Sequence, residues 1–382
     1  MHSSTPAPDA AEALSQRLSS LIRAELAAAG WLSFARYMEL ALYTPGLGYY
    51  ANARPKFGST GDFVTAPELS PLFGQALARQ VAQVLEMTSG DVLELGPGSG
   101  RLALALLRAL QSMGRLPGCY LLHEASAHLR EHQRALFAQQ APELLPRLHW
   151  VPAPPPRFSG LMLGNELLDA LPVHRVRWGE AGPEELGVAL DAHGRWVWQP
   201  RPITDPELLA AARAIDAPAG YESEIGLAAR RLTADLAARL QRGVILFLDY
   251  GYPRREYYHP QRTQGTLTCH HRHHSHADPF DRPGLTDITA HVDFTAIAEA
   301  GHAAGLRLLG YIDQAGFLVN CGLPDLLSRL APDGADYVRA VCAAQKLLHP
   351  AEMGELIKVI ALGRGVEGPL LGFARGDRSA RL

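Results

Sequence analysis

The sequence predicts an α/β fold: a Rossmann-like, doubly wound sheet, preceded by a helical segment and interrupted by an inserted β-hairpin and helical subdomain. Three observations carry this expectation. Apolar runs of strand length, DVLEL from Asp91, CYLLHE from Cys119, LHWV from Leu148 and GLMLGNE from Gly160, alternate with helical stretches. That alternation is the βαβ rhythm of a parallel sheet buried on both faces. A glycine turn, GPGSG from Gly96, follows the first run and opens a helix, and the continuous run GVILFLDYG from Gly243 resumes the sheet after the insertion.

The elements follow in order. Leu14, Leu18, Leu21 and Ile22 predict a helix from Ala10 to Ala29, stopped by Gly30. A second helix follows Ser33 and ends before YTPGLGYY, whose Pro and Gly residues mark a loop. Ser70-Pro71 reads as an N-cap with proline in the first turn of the next helix. After the glycine turn, Leu102, Leu106, Leu110 and Met113 share one helical face, and a further helix follows Ser126. From Val173 the pattern changes: VHRVRW and GRWVWQP flank a turn-rich stretch and read as a hairpin, with helices between Asp205 and Arg242. A helix from Asp293 to Gly305 and the pairing segments LRLLGYIDQAGFLVN and GELIKVIALGRG close the chain. The expected divisions are residues 1–88, a helical segment and lid loop; 89–172, the cofactor-binding half; 173–242, the insertion; and 243–382, the second half.

Composition narrows the function classes. The 382 residues are 47% hydrophobic and 20% charged, ordinary for a globular protein, and long enough for one elaborated domain or two. A net charge of −3 argues against a broad nucleic-acid surface. Cys119, Cys269, Cys321 and Cys342 lie far apart and form no C-x-x-C pair, which fits a reducing compartment. No apolar run approaches the roughly 20 residues that span a bilayer. The opening MHSSTPAPDAAEALSQ has neither the basic start of a signal peptide nor the Arg-rich look of a transit peptide. Lysine occurs only at Lys56, Lys346 and Lys358 among abundant arginines, the mark of a GC-rich bacterial genome. The expectation is a bacterial cytoplasmic protein without membrane insertion or nucleic-acid partner; a homodimer stays open.

The glycine turn carries the first chemistry. A dinucleotide fingerprint, G-x-G-x-x-G, needs its third glycine at 101, where Arg101 stands. The spacing here is E-x-G-x-G-x-G, from Glu94 through Gly96, Gly98 and Gly100, the pattern of S-adenosylmethionine-dependent methyltransferases. Glycine lets backbone approach a flat ligand and take positive φ without steric cost. Glu124, at the end of the next strand, is placed to accept hydrogen bonds from both ribose hydroxyls of such a cofactor. The fourth strand ends in GNELLDALPVH, which brings Asn165, Glu166 and Asp169 to the edge where doubly wound sheets bind ligands. The plainer reading of Asp169 and Pro172 is a cap and stop for a short helix.

The blocks GDFVTAPELSPLFG, LELGPGSG, NELLDALPVH, LDYGYPRREYYHPQRTQGTLTCHHRHH and DITAHVDFTAIAEAG resemble, in collinear order, the signature blocks of the MidA-like methyltransferases. The resemblance runs from about Leu18 to about Gly363. That family includes a mitochondrial protein arginine methyltransferase acting in assembly of respiratory complex I. The resemblance implies a class I methyltransferase fold, S-adenosyl-L-methionine as cofactor and an arginine of a partner protein as acceptor. Symmetric dimethylation is among its implications; a respiratory-complex subunit is a candidate partner, and what the bacterial members methylate is not implied. It assigns Gly96, Gly98, Gly100 and Glu124 to the cofactor. It also places Asp62, Glu68, Asn165, Glu166 and Asp169 around the active site. His123, where an apolar strand residue belongs, and the histidine-rich TCHHRHHSH depart from the pattern.

Guanidinium is planar, cationic and effectively never deprotonated in water. A site that methylates it must balance the cation with carboxylates, aim one nitrogen and accept a proton; Glu166 and Asp169 suit that role, Asn165 orients, and Asp62 is a second carboxylate. Three alternatives stay open. A small-molecule methyltransferase would use a general base such as His259 or His291. A scaffold protein would keep the fold without turnover, and a dehydrogenase is disfavoured by Arg101. The run CHHRHHSH from Cys269 reads as a polar loop or edge strand rather than a zinc site, because no second Cys/His cluster accompanies it.

Overall fold

The computed structural model describes residues 8–54, 56, 65–272, 274–332 and 334–382. Two compact units divide the chain: residues 64–168, 231–253 and 294–382 form one, and residues 1–63, 169–230 and 254–293 form the other.

The first unit carries the predicted sheet. Its strands are β1 (Asp91–Leu95), β2 (Tyr120–His123), β3 (Leu148–Trp150), β4 (Phe158–Asn165), β5 (Leu240–Tyr252), β6 (Arg307–Asp313) and β7 (Ile357–Arg364). They lie in the order β3-β2-β1-β4-β5-β7-β6. Val92 of β1 faces Tyr120 on one side and Leu161 on the other, both in parallel pairs, and β5 runs parallel to β4. β7 is antiparallel to both β5 and β6. The order reverses between β1 and β4, so the carboxyl ends of those strands, Leu95 and Asn165, flank the topological switch point where such sheets bind ligands.

Three helices build the near side of that switch point: α1 (Pro71–Thr88), α2 (Arg101–Ser112) and α3 (Ala127–Gln140). As the sequence predicts, the Ser70 hydroxyl caps α1 by accepting the Leu72 N–H at 3.2 Å, with Pro71 in the first turn. Leu77 and Val81 of α1, Leu106 and Leu110 of α2, and Val92, Leu161 and Leu246 of the sheet are buried in one continuous core. Met113 departs from the expected stripe: α2 ends at Ser112, and Met113 sits exposed beyond it. The predicted pairing segment from Leu306 also ends early. Asp313 accepts the Gly316 N–H at 2.7 Å and starts a helix, Gln314–Asn320, which removes QAGFLVN from the sheet.

The second unit differs from the predicted hairpin. His174–Gly179 and Trp196–Pro202 do not pair with each other; both flank Gly182–Leu190 in an antiparallel meander. Gly182, Pro183, Glu184 and Glu185 gave that central strand its turn-like look, yet Glu185 is paired with His174 at 2.7 Å and Leu186 and Val188 are buried. A further strand, Tyr221–Ile225, pairs with His174–Gly179 inside the segment expected to hold helices, Asp205 to Arg242. Helix Pro8–Ala29 packs Leu18, Ile22 and Leu26, an i, i+4 row, into a core with Phe34, Met38 and Val188. Leu21 falls off that row and is exposed.

Candidate active site

The loop between β1 and α2 has positive φ at Gly96 (63°), Gly98 (53°) and Gly100 (81°), a left-handed run that β-carbons would strain. The Gly96 N–H donates to the His123 carbonyl at 3.0 Å, which ties the loop to the end of β2. A β-carbon at Gly96 would lie 3.0 Å from Leu167, and one at Gly100 would lie 3.0 Å from Gln133. The loop is thus a cradle whose walls would crowd a side chain at Gly96 or Gly100.

Gln133 is a loop-supporting residue that the sequence reading missed. It occupies the buried row Leu129–Gln133–Phe137 of α3, where a polar side chain needs partners. Its amide nitrogen donates to the Gly98 carbonyl at 2.8 Å, and its amide oxygen accepts from the Trp150 indole at 2.8 Å. A lone glutamine on an apolar helix stripe was the available signal.

Glu124 sits where the sequence places it, just beyond β2. Its carboxylate accepts the Ser126 N–H at 2.9 Å and also bonds the Gly98 backbone and the Gln133 amide. Burial pushes its pKa up against those bonds. A mostly buried carboxylate beside a loop of left-handed glycines fits a cofactor carrying adjacent hydroxyls.

Glu94 is buried more deeply. Tyr120 donates its hydroxyl to the Glu94 carboxylate at 2.6 Å. Burial raises the Glu94 pKa from 4.5 to about 7; the Tyr120 bond opposes that shift and the Glu124 charge adds to it. The folded value lies above the unfolded one, so protonated Glu94 stabilises the fold below about pH 4.5, and that contribution is lost as pH rises toward 7. Unfolding measured at pH 5 and pH 7 should show wild type losing on the order of 2–3 kcal/mol more than Glu94→Gln over that interval. Equal losses in the two proteins would contradict the assignment.

Glu68 and Arg101 meet above the same loop. A short helix, Ala66–Leu69, carries Glu68, whose carboxylate accepts from the Ser99 hydroxyl and pairs with Arg101 at 2.9 Å. Arg101, which breaks the dinucleotide fingerprint, here ties the loop to a second chain segment.

At the end of β4, Glu166 is one of four described non-glycine residues with positive φ, at 48°. Such backbone costs on the order of 1–3 kcal/mol and persists only where surrounding contacts impose it. The Glu166 N–H donates to the Leu248 carbonyl at 2.8 Å. Its carboxylate accepts from the Ala66 N–H at 3.3 Å and from the Asn165 amide at 3.2 Å. The Asn165 side-chain oxygen is buried without a hydrogen-bond partner in this structure. An unsatisfied acceptor next to a strained carboxylate is a place built for a donor.

Asp169 belongs to the second unit, where burial pushes its carboxyl up to about 7 and its carbonyl accepts the Ala290 N–H at 3.0 Å. Asp62 lies outside the described residues. His259 accepts the Gln261 N–H within its own turn, and the His291 N–H donates to Thr266 at 3.0 Å. The histidine-rich run forms strands Thr268–His271 and His274–His276. In it, His271 engages the Leu285 carbonyl at 2.9 Å and burial pushes the Cys269 thiol up to about 12. Among the described residues, no group of three or more His, Cys, Asp or Glu could hold a metal ion, and no helix is long and apolar enough to cross a membrane.

Comparison with known proteins agrees with this geometry. A family model of S-adenosyl-L-methionine-dependent methyltransferases matches residues 76–312. A methyl-transferase candidate from Burkholderia thailandensis, solved with S-adenosyl-homocysteine bound, is 50% identical with a TM-score of 0.95; the match covers 99% of each chain. The zebrafish (Danio rerio) protein named protein arginine methyltransferase NDUFAF7, mitochondrial, is 30% identical over 87% of this chain and 84% of its own. Its Drosophila melanogaster homologue is 27% identical over 94% and 88%. The cradle, the buried acid beyond β2 and these matches together place the chain in the MidA-like family of S-adenosyl-L-methionine-dependent methyltransferases, with the class I fold.

Proposed function

We propose that this methyltransferase acts on an arginine guanidinium of a partner protein, and that Glu166 is the carboxylate that receives it. The observation that carries the reading is the strained Glu166 at the switch-point end of β4, beside the unsatisfied Asn165 oxygen. When bound, S-adenosylmethionine supplies a methyl group on a sulfonium for in-line displacement, so the protein contributes chiefly position and electrostatics. Gly96, Gly98 and Gly100 admit the cofactor to the backbone, and Glu124 accepts from its ribose hydroxyls. Glu94 is held by the Tyr120 hydroxyl in the strand that leads into the loop, and Glu68 holds the loop through Ser99 and Arg101. Asn165 donates to Glu166 and fixes its carboxylate, leaving its own oxygen for a guanidinium N–H. Glu166 balances the acceptor cation and takes up the proton that the methylated nitrogen must lose.

The names of the zebrafish and fly relatives support arginine as the acceptor, and the family resemblance supports a respiratory-complex subunit as the partner. Tritium transfer from labelled S-adenosylmethionine into a bacterial lysate tests the protein class of acceptor. The label should enter acid-precipitable protein. Label confined to the small-molecule fraction would overturn the reading in favour of a small-molecule acceptor, and no transfer to any fraction would favour a scaffold.

A further inference from the structure

Glu166 cannot hold its left-handed backbone unaided, and the contacts that impose it come from one neighbouring strand. The Leu248 carbonyl of β5 takes the Glu166 N–H at 2.8 Å. The next residue, Asp249, takes the two N–H groups that follow: Leu167 at 2.9 Å and Leu168 at 2.6 Å, both on one carboxylate oxygen. Its other oxygen accepts its neighbour Tyr250 N–H at 2.9 Å. Asp249 is fully buried, and Lys358 of β7 stands directly opposite it in the antiparallel register.

Residues 166–168 form no helix that could satisfy these amides internally. A buried aspartate within core strand β5 therefore replaces the missing hydrogen bonds. Consecutive β5 residues grip the chain at Glu166 and just beyond it. The Glu166 carboxylate is in turn oriented by the Asn165 amide and the Ala66 N–H.

We infer that Asp249 is a positioning residue for methyl transfer: its carboxylate locks the amides of Leu167 and Leu168 and so aims Glu166 at the acceptor. The inference rests on the proposed role of Glu166. The effect of Asp249 passes through the turn, by the bonds it accepts from Leu167 and Leu168.

The test compares wild type, Asp249→Asn, Glu166→Gln and the double variant in tritium transfer from labelled S-adenosylmethionine to lysate protein, with lysate protein varied to separate kcat from acceptor KM. Asp249→Asn should lower kcat about 10- to 50-fold, since small misplacements of a reacting group carry penalties of that order. Its affinity for S-adenosylmethionine by calorimetry should stay within about threefold of wild type. The double variant should be no slower than Glu166→Gln by more than about twofold, because both substitutions act through one carboxylate. A lowered Tm with wild-type kcat per folded molecule, or multiplicative losses in the double variant, would overturn the inference and leave Asp249 a purely structural residue. If Asp249→Asn does not fold, hydrogen exchange on the wild-type protein decides: the Leu167 and Leu168 amides should be protected at least about 10²-fold, and unprotected amides overturn the lock. Full activity in Glu166→Gln would instead overturn the reading on which the inference stands, while the amide protection would be unaffected.

Discussion

Glu166→Gln is expected to slow methyl transfer by about 10²–10³-fold, the loss typical when one preorganised electrostatic group is removed from a site. Glutamine keeps the shape and the Ala66 and Asn165 contacts at the remaining oxygen. It cannot balance a guanidinium or accept its proton. Affinity for S-adenosylmethionine should change by less than about threefold, under roughly 0.7 kcal/mol, because the side chain bonds Ala66 and Asn165 rather than the glycine loop. Rates at saturating donor, set beside calorimetric affinity, check both halves. Full activity on the true acceptor would exclude a guanidinium held by Glu166, and a neutral acceptor with a histidine base would replace it.

Glu124→Ala is expected to weaken S-adenosylmethionine binding about 10- to 150-fold, since a carboxylate accepting hydrogen bonds contributes on the order of 1.5–3 kcal/mol. The structure adds a second source for the loss. The same carboxylate bonds the Gly98 backbone, the Ser126 N–H and the Gln133 amide, so its removal also loosens the loop that the cofactor needs. Calorimetry with S-adenosylmethionine and with NAD separates the cases. Undiminished binding in the variant, or tighter binding of NAD by wild type, would contradict the assignment.

The parallel sheet was legible because its strands are buried on both faces and read as unbroken apolar runs: Asp91–Leu95 falls on the predicted residues. The glycine loop was legible because left-handed backbone selects glycine, a constraint visible in sequence. The meander was not. Gly182-Pro183 and the acidic pair after it read as turn chemistry, and only the partners Leu186 and Val188 find across the sheet make that stretch a strand. At the site, sequence placed Glu124, Asn165 and Glu166 but could not show that Glu166 has positive φ, because that conformation is imposed by Leu248 and Asp249 far along the chain. Gln133 and Asp249 stood in the sequence as single polar residues within or ending apolar patterns. Such residues need buried partners, and the partners are what three dimensions supply.

In the proposed reaction the acceptor atom is an arginine nitrogen. Tandem mass spectrometry of the labelled protein, digested after transfer from S-adenosylmethionine carrying an isotopic methyl group, locates that atom directly. The account predicts the isotopic methyl on a guanidino nitrogen, in wild type and not in Glu166→Gln. Label on a lysine, a carboxylate or a hydroxyl, or equal arginine labelling in both proteins, would contradict it.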